Sequence, residues 1–269
     1  MHENIVYAQT IFCPDDVRFN KNYESIKSFI EYFELKPIDM YLGGYCLRDE
    51  YFDKLKDLVK DIPNCNIQRF ERNYGKAYCI DALIKDALSR KSYEYILTAD
   101  SDIKFDKQET NLLPRLVGCV SKVTEMKKMK FGVVGLNQKE RNLNEICALQ
   151  QHIWTYKNSF DQEEKILWHD WPGYIAGGCL FTAVEAWTKV GGYRIMGVYA
   201  GDEAYYLIDL RDNGFTWQLI DSLAVIHPEE NDLDYLRWKN HICRRDMAGT
   251  IKKDLMPWVD EAEEFWKNR

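Results

Sequence analysis

The stretch Tyr95-Ile96-Leu97-Thr98-Ala99-Asp100-Ser101-Asp102 decides the fold: an uncharged, largely apolar run ends in two carboxylates separated by a serine. Such a run, short and bounded by polar segments, reads as a buried strand. Side chains two apart on extended chain point the same way, so Asp100 and Asp102 can converge on one hard divalent cation, which also takes phosphate oxygens. In an open α/β sheet, ligands gather beyond the carboxyl ends of the strands. A strand that delivers its next polar residues there predicts a metal and diphosphate site. The spacing alone says less, because the chain repeats it at Asp232-Leu233-Asp234. That copy follows His227-Pro228-Glu229-Glu230-Asn231 with no strand feeding it, and reads as a solvated loop or a helix start.

Upstream of Tyr95 the chain alternates strand and helix. Ile5 to Ala8 reads as a strand, and Asn22 to Phe33 as a helix with Ile26, Phe29, Ile30 and Phe33 on one face. Ile38 to Leu42 is a second strand ending at Gly43-Gly44. A helix over Tyr51 to Val59, a short strand over Asn66 to Phe70 and a helix over Lys76 to Leu88 follow. This order predicts a largely parallel sheet covered on both faces by right-handed crossovers, with the nucleotide-binding half over 1–102. Downstream the pattern predicts a helix over Leu112 to Met126, a strand over Phe131 to Leu136 and a less regular stretch through Trp171. Ile175 to Phe181 then reads as a strand carrying the pair Gly177-Gly178, where backbone can approach a ligand or another strand. Helices over Ala183 to Val190 and Asp202 to Asn213 and a strand over Trp217 to Ile226 complete a second half, 103–228, of the kind that often binds the variable ligand. Residues 229–269 are expected to form a helical extension packed on the domain.

A chain of 269 residues with 46% apolar content, 17 Tyr, 12 Phe and 8 Trp supports one well-packed domain. No Pro/Gly/Ser-rich linker, repeat or low-complexity tract divides it. Nothing reads as a signal peptide or spanning helix, which predicts a soluble protein. The eight cysteines form no C-x-x-C pair and no zinc-spaced cluster; reduced thiols in a cytoplasmic protein are expected. The formal charge of -7 argues against a protein built chiefly to coat nucleic acid or anionic membrane.

Four segments, Asn73-Tyr74-Gly75-Lys76, Asp100-Ser101-Asp102, Gly177-Gly178 with Val190-Gly191-Gly192-Tyr193, and Asp202-Glu203 with Arg211 and Gly214 downstream, stand in an order that resembles one family. It is that of the GT-A fold, nucleotide-sugar-dependent glycosyltransferases of family 2 type, and the likeness covers roughly residues 1 to 228. The resemblance implies a single GT-A, Rossmann-like α/β domain with a mixed, largely parallel sheet. Asp100, Asp102 and His227 would hold Mn²⁺ or Mg²⁺ against the donor diphosphate. Arg72, Asn73, Gly75, Lys76, Asp100, Ser101 and Gly178 would line the donor site. Asp202 or Glu203 would take the proton from the acceptor hydroxyl. Two departures mark this chain. The acidic residue that such enzymes carry after the second strand is replaced by Tyr41-Leu42-Gly43-Gly44, with Asp39 too early, and the second Asn of the N-x-G-K region is Asp81.

Each residue has a plainer reading beside it. Asn73-Tyr74-Gly75 is an ordinary turn signal, Asp202 and Glu203 suit the positive end of a helix, and His227 before Pro228 can be structural. Trp168, His169, Asp170 and Trp171 form a polar-aromatic cluster that would stack an acceptor ring or serve as core packing. The resemblance implies a metal-dependent transferase, with UDP-sugar the favoured donor and a glycan, a small molecule or a modified DNA base as acceptor. The clusters Lys127-Lys128-Met129-Lys130, Lys139 with Arg141, Arg237 to Arg245 and Lys252-Lys253 would touch phosphates or stand as solvated faces. A nucleotidyltransferase and a non-catalytic nucleotide-sugar-binding module are the alternatives.

Overall fold

A computed structural model describes residues 4–34, 38–140, 152–170, 175, 177–199, 202–247 and 256–267, with side chains described outside 244–247. The expected alternation is present: β1 (Ile5–Phe12), α1 (Asp16–Tyr32), β2 (Asp39–Tyr45), α2 (Asp49–Val59), β3 (Cys65–Arg69), α3 (Lys76–Arg90) and β4 (Tyr95–Ala99). After it come α4 (Leu112–Lys127), β5 (Lys130–Lys139), β6 (His152–Lys157), β7 (Glu163–Trp168), β8 (Cys179–Ala183), α5 (Val184–Val190), α6 (Asp202–Asp212), β9 (Phe215–Ile226), α7 (Leu233–Met247) and α8 (Met256–Lys267).

These strands form one nine-stranded sheet in the order β3-β2-β1-β4-β8-β5-β9-β7-β6. β1, β2, β3 and β4 are parallel. β8 lies antiparallel between β4 and β5, so β5 runs the same way as β4, and β9 pairs parallel with β5. The carboxyl ends of β1, β2, β4 and β9 therefore open on one crevice. One face of the sheet is covered by α1, α2 and α4, through residues such as Phe29, Leu55 and Leu116. The other is covered by α3, α5 and α6, through Leu83, Trp187 and Leu207. Burial on both faces is why β1 and β2 are buried along their whole length.

Several local readings change. β1 runs on through Gln9-Thr10 to Phe12, and the buried Gln9 amide nitrogen is satisfied there: Nε2 donates to Ser25 Oγ at 2.7 Å and to the Asp100 carbonyl at 2.8 Å. β2 passes through both glycines instead of stopping there, since a Cβ on Gly43 would come 2.6 Å from the Phe70 ring. The irregular stretch before Trp171 contains a hairpin, β6 and β7, paired from His152 with Trp168 to Lys157 with Glu163. Its partly exposed strands lack the apolar run that marks the others. Gly177 and Gly178 sit in a turn just before β8 rather than inside it.

A third cluster lies over the crevice. Trp238 and Ile242 of α7 and Val259 and Ala262 of α8 pack on Phe12, Tyr45, Cys79 and Val198. Trp238 stacks on Phe12 at 5.4 Å between centroids, and its indole N–H donates to the Ala262 carbonyl at 3.1 Å. No helix among the described residues is long and apolar enough to cross a membrane.

Candidate donor and metal site

The crevice holds most of the residues singled out by the sequence. β4 ends at Ala99, and its direction is fixed by the Asp100 N–H, which donates to the Gly178 carbonyl at 2.7 Å. The Ile103 N–H donates back to the Asp100 carbonyl at 3.2 Å, turning the chain so that Asp100, Ser101 and Asp102 face the crevice. From the other side, Lys104 and Ile226 exchange backbone hydrogen bonds of 2.8 and 2.9 Å, which bring the end of β9 against this turn. His227 follows.

Asp100, Asp102 and His227 thereby each offer a ligand atom, all within 4.8 Å of one another. The donor set, two carboxylates and an imidazole, suits Mn²⁺ or Mg²⁺. The imidazole is aimed: Nδ1 lies 2.6 Å from Gln138 Oε1, which assigns the proton to Nδ1 and leaves Nε2 facing the site, 3.3 Å from Asp102. Gln138, buried on β5, supplies the outer support that the sequence alone does not reveal.

Lys76, the first residue of α3, sits between Asp100 and Glu203 and forms ion pairs with both. Burial works against its charge, but the two carboxylates outweigh it and hold the ammonium well above its ordinary value. Burial likewise opposes ionisation of Glu203, and Lys76 reverses that, drawing the carboxyl below its ordinary range. Gly75 makes this placement possible. It adopts φ +84°, and a Cβ there would overlap the Val198 carbonyl oxygen and lie 2.8 Å from its carbon. Asn73 is 1% exposed, and its Nδ2 has no hydrogen-bond partner among the described residues, although the side chain lines the crevice. An unsatisfied buried donor costs about 1–3 kcal/mol, which makes this amide a candidate donor to a ligand in the crevice.

Asp202 and Glu203 open α6, and both line the crevice. Gly177 lets Glu203 approach the turn, since a Cβ there would overlap the Glu203 side chain, and a Cβ on Gly178 would meet Gln138 at 2.6 Å.

Other predicted residues lie elsewhere. Arg72 turns to α8, bonding Asp260 at 2.6 Å and Glu263 at 2.8 Å. Asp39 is held by Lys91 at 2.9 Å and the Tyr93 hydroxyl at 2.6 Å, a structural role at the start of β2. Asp81 pairs with Lys85 at 2.6 Å. Trp168 joins Trp154 and Trp217 around the Lys127 ammonium, and the Trp217 indole donates to the His169 carbonyl at 3.0 Å. Trp217 pairs with Val133 and Ile226 with Lys139, so this cluster stands six β5 residues, roughly 20 Å, from the crevice. Trp168, His169 and Asp170 do not line the crevice, and Trp171 lies outside the described residues. Asp232-Leu233-Asp234 is a helix start: Asp232 Oδ1 accepts from the Asp234 and Tyr235 N–H groups, each at 3.0 Å.

The crevice also includes residues that sequence reasoning does not place there. Tyr235, Trp238, Lys239 and Cys243 of α7 form one wall, and Thr10, Phe12 and Tyr45 the floor beneath. Their signal in the sequence is a stripe at helical spacing in 235–243.

No protein-family model and no curated protein matches the sequence. Solved structures do. A mannosyltransferase from Pyrobaculum calidifontis, in complex with GDP-Man and Mn²⁺, superposes with TM-score 0.59 at 11% identity, over 99% of this chain and 70% of that one. TarS of S. aureus superposes at 0.56 with 8% identity, over 98% and 69%. GalNAc-T7 with UDP, GalNAc and Mn²⁺ superposes at 0.58 with 9% identity, over 98% of this chain and 54% of that one. At such identities the likeness is one of architecture: the chain has the GT-A fold.

Proposed function

We propose that the protein is a metal-dependent glycosyltransferase that moves a sugar from a nucleotide sugar, a UDP-sugar favoured, to an acceptor hydroxyl. The observation that carries this reading is the convergence of Asp100, Asp102 and His227 at the carboxyl ends of β4 and β9. It occurs in a fold whose solved examples hold GDP-Man or UDP together with Mn²⁺. A divalent ion held by these three side chains would neutralise charge on the departing diphosphate. Lys76 adds a second positive charge beside it. The Asn73 amide, the backbone at Gly75 and Ser101 bind and orient the donor.

The reaction has a simple balance. The acceptor oxygen attacks the anomeric carbon as the bond from that carbon to the diphosphate breaks, so the nucleoside diphosphate leaves with the electron pair. The acceptor proton passes to a carboxylate of the Asp202–Glu203 pair. One direct displacement inverts the anomeric centre. Glu203 is paired to Lys76 before the donor arrives; as the ammonium turns toward the diphosphate, its carboxylate regains basicity.

The test is a thermal-shift panel of UDP- and GDP-sugars with and without Mn²⁺, followed by donor hydrolysis assays. Stabilisation by a nucleotide sugar only when metal is present, with slow metal-dependent release of nucleoside diphosphate, is the expected result. A panel in which no donor shifts the melting temperature removes the reading.

A further inference from the structure

α7 stands outside the segments that define the donor site, yet it presents one continuous stripe to the crevice. Tyr235, Trp238, Lys239, Ile242 and Cys243 recur at helical spacing, and the aromatic and aliphatic members are the ones that pin α7 to the body of the protein. Trp238 stacks on Phe12, while the Tyr235 ring lies 3.4 Å from the Arg18 guanidinium. Lys239 is the charged member of this stripe; partly exposed, it lines the crevice and can meet a charge placed there.

The charges around the crevice say what that is. Its lining carboxylates are Asp100, Asp102, Asp202, Glu203 and Glu230, and Lys76 and Lys239 are the two ammonium groups among the described lining residues. Glu230 is engaged by Arg18 and Lys21, and Lys76 by Asp100 and Glu203. Lys239 lies with its Nζ 4.8 Å from the centre of the Tyr199 ring and, after Lys76, helps draw the Glu203 carboxyl below its ordinary range. Of the basic stretch Arg237 to Arg245, Arg237 points away, 3.5 Å from Asp234 on the exposed side of the helix.

We propose that Lys239 is a donor-phosphate ligand, an ammonium carried by α7 that meets the nucleoside diphosphate as a second positive charge beside that of Lys76 on α3. This rests on the glycosyltransferase reading above. A nucleoside diphosphate leaves with more negative charge than one divalent ion neutralises, and Lys76 approaches from α3 only. A second ammonium on α7 answers the remaining charge, and a packed aromatic core rather than a loop fixes its position.

The experiment is calorimetric titration of the full chain with UDP and GDP, each with Mn²⁺, and with uridine and guanosine as phosphate-free probes. Lys239→Gln is expected to weaken diphosphate binding roughly tenfold or more, to flatten its salt dependence, and to leave nucleoside binding and melting temperature unchanged. Lys239→Arg should restore most of the loss. Diphosphate affinity in Lys239→Gln within twofold of the wild type overturns the inference and leaves the transferase reading standing. A loss shared equally by nucleosides assigns Lys239 to shaping α7 and also overturns it. A wild-type chain that binds neither diphosphate with metal overturns both.

Discussion

Replacing Gly75 with alanine separates two costs that the structure places at one position. Gly75 has φ +84°, and a Cβ there would overlap the Val198 carbonyl, a backbone group that cannot rotate aside. With ψ 168° Gly75 lies in a region essentially restricted to glycine, which costs an L-residue roughly 1–3 kcal/mol, and forced overlap in a packed region typically adds about 1–3 kcal/mol. Gly191 also has φ +84°, but with ψ 20° it is ordinary left-handed backbone, costing roughly 1–2 kcal/mol, and a Cβ added there would meet nothing within 4 Å, so Gly191→Ala carries a conformational cost alone. Gly118, exposed in the interior of α4 with nothing within 4 Å, carries neither, and Gly118→Ala should stabilise by about 0.5–1 kcal/mol. At about 2 °C per kcal/mol for a domain of this size, calorimetry should show a rise of ~1–2 °C for Gly118→Ala. It should show a fall of ~2–4 °C for Gly191→Ala and of ~4–12 °C for Gly75→Ala. Only the Gly75 variant should lose donor-induced stabilisation, because the shift needed to clear Val198 displaces Lys76. A Gly75→Ala protein no less stable than Gly191→Ala would refute the overlap and, with it, the account of how Lys76 is positioned.

Other outcomes follow from the same geometry. Asp102→Asn should keep its fold by circular dichroism yet lose metal-dependent stabilisation by nucleotide sugars and at least about 10²-fold in turnover; retained Mn²⁺ dependence would remove Asp102 from the metal site. The Lys76–Glu203 pair should support stability between two limits. Glu203 is lowered from its ordinary 4.5, so its share is present above that pH and lost as acid protonates it. Lys76 is raised from 10.5, so its share is present below that pH and lost in strong alkali. Lys76→Met should therefore lose most stability relative to wild type across neutral pH and converge with it in acid, measured by urea unfolding at several pH values. Burial among tryptophans pushes the Lys127 amine down to about 7, so acylation at pH 7.5 followed by peptide mass mapping should label Lys127 ahead of exposed lysines such as Lys56 and Lys60. Burial pushes the Cys46 and Cys65 thiols up to about 12; both should resist iodoacetamide at pH 8 until the protein is unfolded.

Where the sequence is readable, one stretch of chain carries its own signal. The run into Asp100 and the stripes of α1 through α3 announce themselves because burial fixes their period locally. His227 can be placed by its position after a strand. What the sequence leaves dark depends on partners far along the chain. Arg72 is next to the N-x-G-K turn, but the acids on α8 decide where it points. Gly43-Gly44 reads as a stop, whereas the Phe70 ring packed on it makes it a strand. Trp168 looks like a ring-stacking platform until β7 pairs with β9 and carries it to the opposite end of the sheet. Lys239 is one charge in a basic stretch, and only the docking of α7 separates it from Arg237.

The order of strands gives the crevice a further property, one of assembly. Asp102 follows β4 and His227 follows β9, and β8 and β5 lie between those two strands in the sheet. The backbone exchange between Lys104 and Ile226 can form only when every intervening strand is in register. A nascent chain that has finished residues 1–102 thus holds the two carboxylates of the candidate metal site without its imidazole, and gains that third side chain with β9. Competence for metal then coincides with topological completion, so that a ligand bound across Asp100, Asp102 and His227 favours the fully paired sheet over every partly paired one.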